Sequence, residues 1–573
     1  MTISRNQILS LAALTLSGCI VGEERKPNPP AQQIAAAPAK PLPPAPPAPP
    51  PPPPPPPTTP DAEFRAAKPA PAAGAATFTA PVPSSRMLKN GARLLVVENH
   101  AVPLVSVDLL IETGTDGEPA GKAGIANFVA NMLDEGTKKV SATQQAEKIE
   151  DLAAHINSFA GQETMRVHLN CLKETLPEAL ELFADMVVNP AFNKDDVERV
   201  RGLLSTEQAQ KLASPNALAR DEMSRILYGD KHPWGQPAGG TPETLKAITQ
   251  KDLVQFHASY FRPSNAILSV SGDVTDAEIG KLIEEKFASW KKQPRIAVRL
   301  PKLPEQKTRS FVLVDKPGAS QSQVWTFGHA VAAKDPDAIP LRIASYILGG
   351  PFARLDMNIR ENKGYSYGVR ASASLMREHG TWLAAGGIKA NVTAEALTEF
   401  EKELAGFATG ALKDGELANA KEALVRSLPS TLETNDAVAA SMASLAFNGQ
   451  PLDYYRTLPA AVAKVDAAEV ARVAAKYDRP DAWSIVIVGP RAASEEKLNA
   501  MKLGTLVVKG AMGSPAAAAK SDAVKPDAAK ADAAQVAAPK TDAAKDAAVK
   551  GGAAKGDVGK SDAGKGETPP AKK

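Results

Sequence analysis

One stretch of this chain occurs twice, and that repeat limits the fold more than any other feature. Tyr260-Phe-Arg-Pro-Ser-Asn-Ala-Ile-Leu-Ser-Val-Ser-Gly272 returns as Tyr477-Asp-Arg-Pro-Asp-Ala-Trp-Ser-Ile-Val-Ile-Val-Gly489, with Tyr, Arg, Pro and Gly matched at an offset of 217. Each copy follows an amphipathic helical stretch, 251–259 and 467–476, and precedes another, 276–290 and 494–501. Each reads as loop, buried strand and glycine turn. A chain built this way is expected to hold two similar tandem domains of about 210 residues each, an ordinary domain size. The expected limits are 76–296 and 297–508.

Within the first unit, 92–98 and 104–113 read as strands joined by a turn around 99–103, and 163–172 alternates like a third. Apolar residues recur at helical spacing over 122–133 and 142–154, and 176–188 and 194–212 read as long helices. The expected class is α+β, each domain a mostly antiparallel sheet packed with helices.

The two ends have another character. Arg5, the apolar run Ile8 to Leu16 and then Leu16-Ser-Gly-Cys19 describe an export signal over 1–18. Its core is too short to span a membrane. The ending resembles the lipobox of bacterial lipoproteins, which implies that Cys19 is lipidated and becomes the first mature residue. Ile20 in place of Asp then implies the outer membrane, with the protein facing the periplasm. Residues 19–75 form a proline-rich linker with nine consecutive prolines, Pro49 to Pro57. Proline fixes φ and removes backbone donors, so its tract from Pro27 to Pro60 is an extended spacer able to reach roughly 100 Å at about 3.1 Å per residue. Residues 509–573, rich in Ala, Lys, Asp and Gly, lack the apolar surface to fold and are expected to be disordered. From 511 onward the tail has eleven Lys against eight Asp and Glu, which accounts for the whole formal charge of +3. The balanced remainder excludes a nucleic-acid footprint. Cys171 lies in the strand-like run Arg166-Val-His-Leu-Asn-Cys-Leu172 and is expected to be a buried, inert thiol.

Four segments, in order, carry a family resemblance. They are Gly121-Lys-Ala-Gly-Ile-Ala-Asn-Phe-Val-Ala-Asn-Met-Leu-Asp-Glu-Gly-Thr137, His232-Pro-Trp-Gly235, Ile248-Thr-Gln-Lys-Asp-Leu253 and Val270-Ser-Gly-Asp-Val274. Together they resemble the pitrilysin-type (inverzincin) zinc peptidases over about 84–508. In active members the first helix carries His-x-x-Glu-His: two histidines one turn apart ligate zinc and the glutamate takes a proton from the bound water. The matching residues here are Asn127, Ala130 and Asn131, so both imidazoles and the base are missing. The third family ligand, a glutamate on a later helix, matches Glu207. One carboxylate does not hold zinc, so no metal site is expected in this chain. None of the seven histidines (His100, His155, His168, His232, His257, His329, His379) lies three or four residues from another, although His155 and His168 could meet in space. There is no Gly-x-Ser-x-Gly elbow, phosphate loop, or flavin or nicotinamide fingerprint.

The second unit keeps another signature. Leu348-Gly-Gly-Pro-Phe-Ala-Arg-Leu-Asp-Met-Asn-Ile-Arg360-Glu-Asn-Lys-Gly-Tyr-Ser-Tyr367 resembles the family's glycine-rich turn, helix and Arg-x-x-x-x-x-x-Tyr. The resemblance implies that Arg360 and Tyr367, with Tyr365 the lesser candidate, bind the substrate carbonyl and its oxyanion across a chamber. The competing reading has Arg360 paired with a helix carboxylate and Tyr367 simply packed. A dead zinc half beside an intact Arg/Tyr half implies the non-catalytic subunit of a heterodimeric peptidase, similar to that of the processing peptidases. It implies half of a clam-shell chamber in this chain, extended peptide substrates, and a homologous partner with intact His-x-x-Glu-His that supplies the zinc. The alternative is an inactive binding or scaffold protein on the same fold.

Overall fold

A computed structural model describes residues 78–510, apart from positions 305, 307 and 480. The expected export signal, Cys19, the proline-rich stretch before residue 78 and the tail beyond 510 lie outside the described residues.

Two six-stranded sheets carry the fold. The first has the order β1 (Ser84–Met87), β2 (Arg93–Glu98), β6 (Ala266–Gly272), β3 (Leu104–Ile111), β5 (Met165–Leu172), β4 (His155–Ala160). The second has the order β12 (Leu506–Lys509), β7 (Phe311–Asp315), β11 (Ser484–Gly489), β8 (Gln321–Ala330), β10 (Gly380–Lys389), β9 (Ser366–Leu375). From β2 and from β7 onward the two orders coincide. In each the first two strands run parallel and the following neighbours antiparallel. The repeated segments form the equivalent strands β6 and β11. Only the outer edges differ: β1 is antiparallel to β2, whereas β12, from the far end of the domain, is parallel to β7.

Most expected elements stand within a few residues of their sequence limits. The helix expected from 122 begins at Ile125, because Gly124, at φ 93°, closes a turn before it. The strand β4 had no sequence signal.

The central strands are apolar on both faces, and the two faces have different owners. Leu94, Val96, Val107, Leu109, Leu268 and Val270 point into a core with helices of the first half, among them Leu176–Val188. Leu95, Val97, Leu110 and Ile267, on the opposite face, meet Val438, Met442, Ala443 and Leu445 of the helix Asn435–Phe447, which belongs to the second half. The exchange is mutual. In the second sheet Phe311, Leu313, Ile485 and Ile487 face that half's own helices. Val312, Val314, Val486, Val488 and Phe327 are covered by Leu218, Ala219 and Leu227 of the first half's helix Pro215–Tyr228. A strand with period-two side chains and both faces buried reads as one apolar run, which is how β6 and β11 read in the sequence. The segment at 296/297, between the two units, is extended chain without regular structure.

Candidate functional site

The helix Ile125–Met132 presents the zinc-motif positions. Asn127 and Asn131 are half-buried, and Asn131 Nδ2 donates to the Asn127 carbonyl at 2.8 Å, with Asn127 Oδ1 at 3.5 Å. Ala130 lies in the core, 1% exposed. Its carbonyl accepts from Ser158 Oγ of β4 at 2.6 Å, so this edge strand runs directly beside the helix. The donor set fails the chemistry of zinc. Amide side chains are poor ligands for it, and neither asparagine offers an imidazole nitrogen or a carboxylate. A glutamate at 130 would carry its carboxylate into apolar core. Glu207 lies on the helix Lys194–Lys211, which packs against Ile125–Met132, and is exposed, with no ion pair among the described residues. Among the described residues, no group of three or more His, Cys, Asp or Glu is arranged to hold a metal. His155 and His168 lie on adjacent strands, opposite Asn170 and Asn157, and form no such group.

Groups without a sequence signal shape this helix. Glu118 Oε1 accepts from the amides of Gly124 and Ala126, both at 3.1 Å, at the helix start. Burial pushes the Glu118 carboxyl up to about 8 against those two amides, and Asp116 adds to the rise. The loop after His232-Pro-Trp-Gly235 meets the same helix start backbone to backbone. A Cβ on Gly240 would stand 2.4 Å from the Ala123 carbonyl, so only glycine allows the approach.

In the second half, Arg360 lies in a π-helical stretch, Asp356–Asn362. Such stretches often mark functional positions. Its Nη1 is 3.6 Å from Asp356 Oδ2 and its Nε 3.2 Å from Glu361 Oε1, with 39% of the side chain exposed. Asp356, fully buried, also takes Arg370 Nη1 of β9 at 2.7 Å and accepts from the Val369 and Phe352 amides. Burial raises its carboxyl, but Arg370 and the two amides outweigh that and hold it below the usual range. Asp356 thus ties the glycine-rich turn, Arg360 and the edge strand β9 together. Tyr367 is 87% exposed on β9, whereas Tyr365 is half-buried against the second core. The packed tyrosine is therefore Tyr365, and Tyr367 presents a free hydroxyl. Among the described residues, no hydrogen bond or ion pair joins Arg360 or Tyr367 to Asn127, Asn131 or Glu207. Cys171 is free and 1% exposed, its thiol pushed up to about 12 by burial, so it is inert.

A family model described as Insulinase (Peptidase family M16) matches residues 93–237, and one described as Peptidase M16 inactive domain matches 247–424. An uncharacterised zinc protease of Bacillus subtilis is 27% identical over 386 residues, covering 67% of this chain and 92% of that protein. The mitochondrial-processing peptidase subunit beta of Rattus norvegicus is 25% identical over 418 residues, covering 70% and 83%. Among solved structures, a peptidase M16 inactive domain from Pseudomonas fluorescens aligns with TM-score 0.67 at 23% identity, covering 71% of this chain and 98% of that one. A protease from Helicobacter pylori aligns with TM-score 0.67 at 23% identity, covering 72% and 100%. At these identities the structural likeness speaks to the fold.

Proposed function

Because this chain belongs to the M16 peptidase family yet lacks that family's catalytic motif, we propose that it is the non-catalytic, substrate-binding subunit of a two-chain zinc peptidase. The observation that carries this is the asymmetry between its halves. Asn127, Ala130 and Asn131 stand on the motif helix without imidazole or base, while Tyr367 remains exposed one strand edge away from a buried carboxylate that anchors Arg360. A homologous partner with His-x-x-Glu-His would hold the zinc and its base. Arg360 and Tyr367 would supply donors to the scissile carbonyl, and preorganised donors at a developing oxyanion are worth several kcal/mol. The edges β4 and β9, each paired on one side only, offer an extended peptide a strand to join. Cys19 would anchor the pair to the outer membrane, facing the periplasm.

A specific observation favours the scaffold reading. Arg360 already has Asp356 and Glu361 beside it, so its charge is partly spent inside the chain. The experiment is to co-purify the full chain with the M16 partner that it captures, then compare Arg360→Ala and Tyr367→Phe with wild type. Turnover of a peptide by the complex is expected to fall about a hundredfold or more, with assembly intact. Wild-type turnover in both variants would overturn the catalytic role and leave the scaffold. Loss of assembly would make the two residues structural.

A further inference from the structure

Three of the seven histidines, far apart in sequence, meet at the seam between the two halves. Tyr228, at the end of the helix Pro215–Tyr228, is 4% exposed, and its Oη lies 3.2 Å from both His379 Nε2 and Thr381 Oγ1 of the second half. Its ring stacks on His232 (centroids 5.6 Å, 28°) and stands 6.4 Å from His329. Trp234 stacks on His379 at 4.6 Å and 21°, and its indole donates to the Gln162 carbonyl. The turn that sets His232 and Trp234 is tight: a Cβ on Gly235 would stand 1.9 Å from the Gly229 carbonyl.

Two of the three imidazoles, His232 and His329, are placed as neutral rings. His232 Nδ1 accepts from the Trp234 amide at 3.1 Å, so a proton there breaks that bond. Among the described residues, neither ring nitrogen of His329 has a hydrogen-bond partner. An imidazolium needs acceptors on both nitrogens, and a buried one without them is costly. We propose that the cluster makes the seam acid-labile, the halves staying joined while His232, His329 and His379 are uncharged and parting as they take up protons. The inference needs no partner chain and does not depend on the peptidase reading.

Burial depresses all three histidines, with the Pro301 carbonyl opposing at His232. His379, with His329 and His232 as further causes, is pushed down to about 4. The sign follows. A histidine depressed on folding leaves stability intact above its free value of 6.5 and removes it as the pH falls toward 4. Among the described residues, the charged groups near the cluster include Asp116, Glu118, Asp230, Lys231 and Arg299 along the cleft beside His232, and Glu163, Arg377 and Glu378 on the other side. Burial raises Glu163, whose carboxylate accepts from the Arg377 amide, and pushes Asp116 up to about 7. These two carboxyls act in the opposite sense, favouring the folded seam in acid.

The test is hydrogen exchange in the full chain, corrected for intrinsic rate, on segments 228–235 and 379–382, with His379→Gln for comparison. Glutamine keeps a partner for Tyr228 but does not titrate. Relative to pH 7.5, His379 alone is expected to make the wild-type seam open on the order of 10-fold more at pH 5.5 and several tens-fold more at pH 4.5. The variant is expected to lose that increment while keeping the contribution of the carboxyls. Parallel pH dependence in wild type and variant overturns the proposal. Should the variant not fold, the wild type decides: exchange rising selectively at the seam over β6 supports the inference, and uniform loosening overturns it.

Discussion

Replacing Arg166 with Met tests how the two halves are joined. Asp108, in the middle of β3, is fully buried, and Arg166 Nη1 reaches its Oδ2 at 2.7 Å. The same guanidinium donates to Ser444 Oγ at 2.7 Å and to the Ala440 carbonyl at 3.3 Å, both on the exchanged helix Asn435–Phe447. Burial pushes the Asp108 carboxyl up even with Arg166 and His168 beside it, and Asp436 adds to the rise, so its charge is expensive to keep. Met preserves the apolar stem but leaves Asp108 facing only His168, whose Nδ1 is 3.7 Å away. Breaking a buried ion pair by removing one partner costs about 3–5 kcal/mol. That is a large part of the roughly 5–15 kcal/mol by which a domain is stable. The assay is equilibrium urea unfolding followed by far-UV circular dichroism and tryptophan fluorescence. Trp290 reports on the first half, Trp325, Trp382 and Trp483 on the second, and Trp234 on the seam between them. One coincident transition at a lower midpoint is expected, because each sheet loses a covering helix when the other half unfolds. Adding Asp108→Leu to the variant should restore most of the loss, since the penalty is an unpaired charge. A loss below about 1 kcal/mol, two separate transitions, or a double variant as unstable as the single would refute the reasoning.

Asp478→Asn is expected to stabilise the chain increasingly as the pH rises. Asp478 is 4% exposed with neither carboxyl oxygen hydrogen-bonded among the described residues, and burial, with Glu401 nearby, pushes it up to about 8. An acid raised on folding supports stability below its unfolded value near 3.8 and loses that support as the pH climbs through 8. The advantage of the variant therefore grows by up to about 1.4 kcal/mol per pH unit across that window, and thermal midpoints at pH 5 and pH 8 that move in parallel would contradict it. Cys19→Ser should leave the exported protein in the soluble fraction or unprocessed; a processed, membrane-bound Ser variant would point to another anchor.

Much of the fold was legible because its signals are local. The Tyr-x-Arg-Pro repeat marks two equivalent strands, and apolar spacing locates the helices to within a few residues. The replacement of the zinc-motif residues was legible too, since one helical turn brings residues 127 and 131 to one face wherever the helix packs. β4 escaped notice because only Ile156 of its six residues is buried, so its composition carries no strand pattern. Asp478 was visible as the counterpart of Phe261 in the repeat, but not as a carboxyl inside the core.

By itself the sequence determined the duplication, the α+β class and the replacement of both histidines and the glutamate, because each depends on residues close together along the chain. Only the tertiary structure decided which half covers which face of each sheet, because an amphipathic helix specifies that it must bury a stripe and not against what. It also decided that Tyr367 rather than Tyr365 is exposed, and that His232, His329 and His379 meet at one seam. Those are contacts across about 150 residues of chain, set by the packing of two sheets and two exchanged helices.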